Sequence, residues 1–387
     1  MKIGIVCYPT FGGSGVVATE LGIALAKEGH KVHFISYSQP VRLDFFSENI
    51  FYHEVIVSSY PLFDYQPYEI LLASKLVDVV KHEKLDLLHV HYAIPHASAA
   101  YLAKQILKSH GISIPFITTL HGTDITLVGK DASFEPVISF SINESDAVTA
   151  VSQSLKDDTY KFFDIKKEIH VIPNFISISD FEQLKNKEEY NGICQKKMYS
   201  PTGEKILMHI SNFRKVKRLD DVIGIFENVR KQIPSKLLLI GDGPERNRIE
   251  QLCREKNIYR DVKFLGKITT PEMLLRVADL FLLPSETESF GLAALEAMAM
   301  NVPVISTNTG GLPEVNINAV SGFTSNVGDV EDMSQNALKI LSDPLILQKF
   351  RRQAFEVAQQ FDLPKILPLY EDLYKEVIEK NKESVKA

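Results

Sequence analysis

A chain of 387 residues is too long for one ordinary core, so at about 100–200 residues per domain two or three domains are expected. Its 45% hydrophobic and 24% charged residues exclude a disordered tail, a collagen-like repeat and a disulfide-stapled mini-domain. A net charge of −6 argues against a general nucleic-acid coat, yet it leaves room for a local basic site that takes a small anion.

The first predicted element is a buried strand, Ile3–Cys7, stopped by Pro9; its single Lys2 and short apolar run do not make a signal peptide. Gly12-Gly13-Ser14-Gly15 reads as a glycine loop, followed by a helix from Val16 to about Glu28 that Gly29 ends. Strand Val32–Ser36, a helix near Glu69–Lys81, strand Leu85–His91, helix His96–Ser109 and strand Pro115–Thr119 follow. Strand Ala147–Val151 then leads into a helix with Ser152 at its N-cap, and His170–Ile172 is a further strand.

The charged stretch from about Phe181 to Gly203 shows no strand and little helical pattern, which suits a linker. Alternation then restarts. Strands are expected at Ile206–Ile210, Lys236–Ile240, Val262–Leu265, Leu280–Leu283 and Val302–Ser306. Helices are expected near Leu219–Lys231, Pro244–Lys256, Pro271–Val277, Gly291–Met300 and Val330–Leu341. The tail, Ile346–Lys382, is helical with a break at Asp362-Leu363-Pro364.

Alternating strands and helices predict an α/β chain of two Rossmann-like domains facing a central cleft, residues 1–175 and 176–362, with the terminal helix from about 363 to 387 packing back on the first. Ligands of such sheets bind beyond the carboxyl ends of the strands, so residues just after each strand are the candidates. No apolar run reaches the length of a membrane span, and Cys7, Cys194 and Cys253 form neither a disulfide framework nor a zinc knuckle. A reducing cytoplasm is the expected compartment.

Gly13-Ser14-Gly15-Val16-Val17-Ala18 fits G-x-G-x-x-A between a strand and a helix, where free backbone N–H groups can meet phosphate. A dinucleotide site also wants an acid at the end of the second strand, but Ser36-Tyr37-Ser38-Gln39 has none, which disfavours NAD; a tight turn without ligand is the competing reading. Arg214-Lys215-Val216-Lys217-Arg218 puts four cations in five residues after a strand, and Arg214 with Lys217 can grip an anion. The plain alternative is a solvated surface run.

Glu288-Ser289-Phe290-Gly291-Leu292-Ala293-Ala294-Leu295-Glu296 is the sharpest pattern. It places one carboxylate before a helix and a second inside it, with the free amides of Leu292 and Ala293 between them. Gly241-Asp242-Gly243-Pro244 and Gly266-Lys267 can line a base pocket, and Thr309-Gly310-Gly311 repeats the glycine turn. His121 follows a strand and can donate or accept a proton. His89, His91 and His96 invite a zinc reading, but no acid or further ligand stands nearby at metal spacing, and no metal is expected.

Glu288…Glu296, Arg214…Lys217, the helix at Gly291, Gly13–Gly15 and His121 together resemble the retaining glycosyltransferases of family four, with the GT-B fold, over almost the whole chain. Cys7-Tyr8-Pro9, His91–His96, Thr118–Thr126 and Ser211–Arg218 resemble the branch that moves N-acetylglucosamine from UDP-N-acetylglucosamine to L-malate, the first step of bacillithiol synthesis. The resemblance implies a metal-independent enzyme without cofactor. In it Glu296 would hold the ribose, while Gly15, Arg214, Lys217 and the Leu292–Ala293 amides would hold the diphosphate. Glu288, Phe290 and His121 would surround the donor sugar. Ser14, Tyr92, Thr119, His121, Asn174 and Arg214 would face malate. Another acceptor (inositol phosphate, a lipid or a glycan), a sugar-binding protein without chemistry and an NAD oxidoreductase are the rivals. Neither a nucleic acid nor a membrane span is expected, and a homo-oligomer is left open.

Overall fold

The computed structural model describes residues 1–10, 12–43, 47–57, 67–127, 131–186 and 192–386. The chain divides into two compact units, Met1–Asn174 with Pro364–Ala387, and Phe175–Leu363.

The first unit carries seven strands, β1 Lys2–Val6, β2 Lys31–Ser36, β3 Ile50–Glu54, β4 Leu87–His91, β5 Phe116–Leu120, β6 Ala147–Ala150 and β7 Ile169–Val171. They form one parallel sheet in the order β3-β2-β1-β4-β5-β6-β7. The second unit carries β8 Lys205–Ile210, β9 Ser235–Ile240, β10 Val262–Gly266, β11 Leu280–Leu283, β12 Val304–Thr307 and β13 Gly322–Ser325. They too are all parallel, in the order β10-β9-β8-β11-β12-β13. β1, β4, β5, β8, β9, β11 and β12 are short, nearly continuous apolar runs because helices cover both faces of a parallel sheet. In each sheet the order reverses once, between β1 and β4 and between β8 and β11. The crevice beyond the strand ends at such a reversal is where open α/β sheets bind ligands.

Several expectations need correction. The stretch from Phe181 to Gly203 is not a bare linker: helices run over Ile178–Asn186 and Gly192–Tyr199. Two of its lysines are anchored. Lys185 Nζ donates to Asn301 at 2.6 Å and sits 4.1 Å from the Phe355 ring, and Lys196 bonds both oxygens of Asp279 at 2.8 Å. Two edge strands, β3 and β13, and the helix Glu135–Glu144 also escape the sequence pattern. Edge strands are half-exposed and short, so they lack the apolar run that marks the central ones. Gly13 and Gly15 lie in the first turn of the helix Gly13–Lys27, not in a loop before it.

The helix Leu363–Lys386 belongs to the first unit. Its Tyr370 and Tyr374 are fully buried there, and His30 and Ser113 bond its Glu371 and Asn381 at 2.8 Å.

Candidate active site

In the second unit, the segment after β8 crosses the point where the strand order reverses. Phe213, fully buried and at φ 40°, pins the segment by its ring, and Ser211 Oγ accepts from the Phe213 amide at 3.3 Å. Lys215–Lys217 form a single tight turn, and Arg218 at φ 49° starts the helix Leu219–Arg230. The four cations therefore part company. Arg218 is spent on Asp221 through two bonds of 2.6 and 3.1 Å. Lys217 is paired with Glu288, from the segment after β11. Arg214 is exposed, and neither it nor Lys215 has an ion pair among the described residues. The expected patch of four is thus an exposed Arg214 and Lys215 beside two ion pairs, Lys217–Glu288 and Arg218–Asp221.

Glu288 is fixed from two sides, since Ser285 Oγ donates to its Oε1 at 2.9 Å and its carbonyl accepts from Gly311 N at 2.9 Å. Ser285 is held in turn by Thr307, whose hydroxyl donates to the Ser285 carbonyl at 2.7 Å. His209 bridges from β8 to the Leu282 carbonyl at 2.8 Å and to Ser211 Oγ at 2.7 Å, and burial lowers its pKa to about 4. Sequence reasoning passed over Ser285 and His209. Both occupy strand ends, which is the one signal that could have found them.

Phe290 is buried, with its ring edge-on to Phe361 at 5.5 Å. Gly291, at φ 97°, caps the helix Leu292–Ala299; a side chain there would sit 2.5 Å from Leu312. The helix begins one residue later than expected, and Glu296 lies half-buried on its second turn. Gly241 has φ 116°, and a Cβ on it would lie 1.8 Å from the Ser211 carbonyl oxygen. A Cβ on Gly310 would lie 2.0 Å from the Glu288 carbonyl oxygen. These two turns are therefore glycine because they press backbone against the backbone of the Arg214 and Glu288 segments. Gly266, at φ 70°, has only Arg246 within reach, at 3.7 Å, and Lys267 is exposed.

In the first unit, the reversal between β1 and β4 gathers a different chemistry. A Cβ on Gly15 would lie 2.5 and 2.6 Å from the carbonyl oxygens of Thr10 and Tyr8, so this glycine is first a packing requirement. Gly13 beside it is exposed. Tyr92, at the unusual φ of 89°, donates its hydroxyl to Ser14 at 2.7 Å and lies 5.4 Å from the Tyr8 ring and 5.2 Å from His121. His121 Nε2 and His91 Nδ1 share a hydrogen bond of 2.8 Å. Burial drives the pKa of His121 to about 3 and that of His96 to about 4, so both rings are neutral near pH 7.

Thr119 does not fit an acceptor contact. It is fully buried, its hydroxyl lies 2.7 Å from His89 Nε2 and 2.6 Å from Thr149, and its carbonyl takes the Tyr92 amide. His89 in turn meets Tyr374 of the terminal helix at 2.7 Å. Asn174 is buried, and its Oδ1 has no hydrogen-bond partner among the described residues. Asp124 is the residue sequence reasoning most clearly missed. Its buried carboxylate accepts from Ala93 N at 2.9 Å and Gly122 N at 3.1 Å, tying the segments after β4 and β5 together. Burial raises its pKa to about 6. The glycine-then-acid run Gly122-Thr123-Asp124 was the available signal.

No helix among the described residues is long and apolar enough to cross a membrane. Residues 11–180 match the family described as Glycosyltransferase Family 4, and residues 194–357 match that described as Glycosyl transferases group 1. The chain is 47% identical to N-acetyl-alpha-D-glucosaminyl L-malate synthase of Bacillus anthracis, an alignment covering 99% of this chain and 98% of that protein. A glycosyltransferase from Rickettsia africae superimposes with a TM-score of 0.80 at 22% identity, covering 97% of this chain and 98% of that one. HepE of Anabaena, solved with UDP and glucose, gives 0.79 at 19%, covering 97% and 99%.

Proposed function

The chain belongs to the family-four glycosyltransferases and has their GT-B fold, and from that membership we propose that it transfers N-acetylglucosamine from UDP-N-acetylglucosamine to the hydroxyl of L-malate with the α configuration kept. The observation that carries this reading is 47% identity sustained over 99% of the chain.

On this reading the second unit holds the donor. Glu296 takes the ribose hydroxyls, and Gly241, Gly266 and Lys267 line the base. Arg214, Lys217 and the amides of Leu292 and Ala293 take the diphosphate. Glu288 and Phe290 flank the sugar. Pairing with Glu288 holds the Lys217 ammonium in place, so it needs little reorganisation when charge develops on the departing phosphate.

The first unit holds the acceptor through Ser14, Tyr92 and Asn174. Neutral His121 serves as a hydrogen-bond partner to the donor sugar rather than as a charge. Thr119 acts one step back, fixing His89 and the Tyr92 amide. In the reaction the bond from the anomeric carbon to the phosphate oxygen breaks, and a bond to the malate hydroxyl oxygen forms on the same face. The hydroxyl proton passes to the leaving phosphate oxygen. Positioning and charge stabilisation then supply the catalysis, with no enzyme nucleophile and no metal.

The test is UDP release from the purified chain given UDP-N-acetylglucosamine and L-malate in EDTA, with the anomer of the product read by NMR. Release and an α product are expected. Release with another acceptor but none with malate would overturn the acceptor; a β product would overturn retention; loss in EDTA would overturn metal independence.

A further inference from the structure

We propose that His33, His53 and Glu83 form a divalent-metal site of the kind that takes Zn(II), on the outer edge of the first sheet and separate from the transfer reaction. His33 lies in β2 and His53 in β3. In the parallel register His33 pairs with Phe51 and Ile35 with His53. Residues two apart on a strand share a face, so both imidazoles stand on one side of the sheet. The Phe51 ring stacks on His33 at 4.5 Å and 12°, which fixes the plane of that imidazole, and the His53 ring lies parallel to it at 5.2 Å.

His33 Nδ1 and His53 Nε2 face each other at 2.9 Å. Glu83 ends the helix Tyr68–Glu83, and its carbonyl accepts from Lys2 Nζ at 2.7 Å, which brings the helix end to the start of β1. One donor atom from each of the three residues lies within 4.8 Å of the others. His33 is 1% exposed, and His53 and Glu83 are half-buried.

Two facing imidazole nitrogens can share only one proton, so one lone pair is used as acceptor and the other nitrogen must carry the hydrogen. A dication uses both lone pairs at once. Two nitrogens and a carboxylate oxygen form a donor set suited to zinc, with a fourth tetrahedral position left for water. Zinc at about 2.0–2.1 Å from each nitrogen puts the nitrogens about 3.3 Å apart, so the rings need to part by only a few tenths of an ångström. The nearest Glu83 oxygen lies within 4.8 Å of both nitrogens, and binding requires its side chain to turn inward over the remaining distance. Lys2, Lys31 and Lys75 lie near enough to oppose a cation, and Glu83 with Asp78 offsets them. None of the three ligands lies in a segment that follows a strand end, and they come from positions 20 and 30 residues apart, which is why no sequence spacing announced them. Bound metal would clamp the edge strand to the end of a helix.

The test uses the full chain, stripped with a chelator and titrated with Zn(II) against a chromogenic competitor, with thermal unfolding followed in parallel. One equivalent of zinc per chain and a raised midpoint are expected. His53→Ala and the isosteric Glu83→Gln should each weaken zinc binding at least tenfold and remove the rise in midpoint, while UDP release stays within twofold of the parent. No zinc uptake by the parent chain, or uptake unchanged in both variants, overturns the site. Because UDP release is read separately, that outcome is distinct from failure of the transferase reading.

Discussion

The two units are built by the same alternation of strand and helix, yet they finish their strand ends with opposite chemistry. After β4 and β5 the first unit buries neutral rings and hydroxyls: His89, His91, His96, His121, Thr119 and Thr149, closed by Tyr374, with Asp124 as the one buried acid among them. After β8 and β11 the second unit presents ions: Lys217 with Glu288, Arg218 with Asp221, and the exposed Arg214. A neutral network is rigid because every partner is costly to lose in a dry interior. An ionic segment near solvent keeps its charge and can trade one partner for another. On the proposed function, the first would hold the small hydroxylated acceptor and the second would meet the diphosphate.

The largest effect that would test this contrast is structural. Gly241→Ala puts a Cβ 1.8 Å from the Ser211 carbonyl at a φ of 116°, so the Arg214 segment cannot keep its path. Loss of cooperative unfolding of the second unit and of UDP release is expected. Gly266→Ala, with nothing nearer than 3.7 Å, should cost only about 1 kcal/mol for its positive φ, as read by urea unfolding. Equal effects would show that the backbone contact does not decide the fold there.

Acid separates the units next. His89 and His121 are held at about 3 and His96 at about 4, each below the ordinary 6.5. The unfolded chain therefore binds these protons first, and their stability is whole above pH 6.5 and drains as pH falls toward 4. Asp124, raised to about 6, acts in the opposite sense, losing stability as pH rises from about 4 through 6, but it is one acid against six histidines of this unit whose pKa values burial lowers, His33, His53 and His91 being the other three. The second unit has only His209 in this position. Hydrogen exchange corrected for intrinsic rate should show β4 and β5 losing more protection than β8 and β11 between pH 7 and 5. Equal loss would break the comparison.

Lys217→Ala should then lower kcat/KM at least tenfold, about 1.4 kcal/mol, without moving the thermal midpoint of the first unit. Activity within twofold of the parent would take Lys217 out of the diphosphate contacts. The smallest effect is Tyr374→Phe. It removes one buried hydrogen bond to His89 and should cost about 1 kcal/mol in urea unfolding, confined to the first unit.

Much of the molecule was legible in the sequence because strands and helices are local. The apolar runs of β1, β4, β8 and β11 marked the central strands, and Ser152 was read as an N-cap and does accept from Leu155 N at 3.1 Å. Glu288 and Glu296, placed just after the apolar run of β11, marked the next segment, and Gly291 between them does turn at a φ of 97°. Of the four edge strands, β7 and β10 were read from the sequence, whereas β3 and β13 were not: IFYHE and GFTS carry neither a continuous apolar run nor a clean alternation.

The sequence by itself determined the order of the elements and which residues follow strand ends. Only the tertiary structure decided how those residues are spent. It took Arg218 for Asp221 and left Arg214 exposed, brought Tyr374 to a histidine 285 residues away, and set His33 against His53. The physical reason is that periodicity reports which face of an element is buried, whereas a partner across the sheet is chosen by packing, and packing carries no local signature.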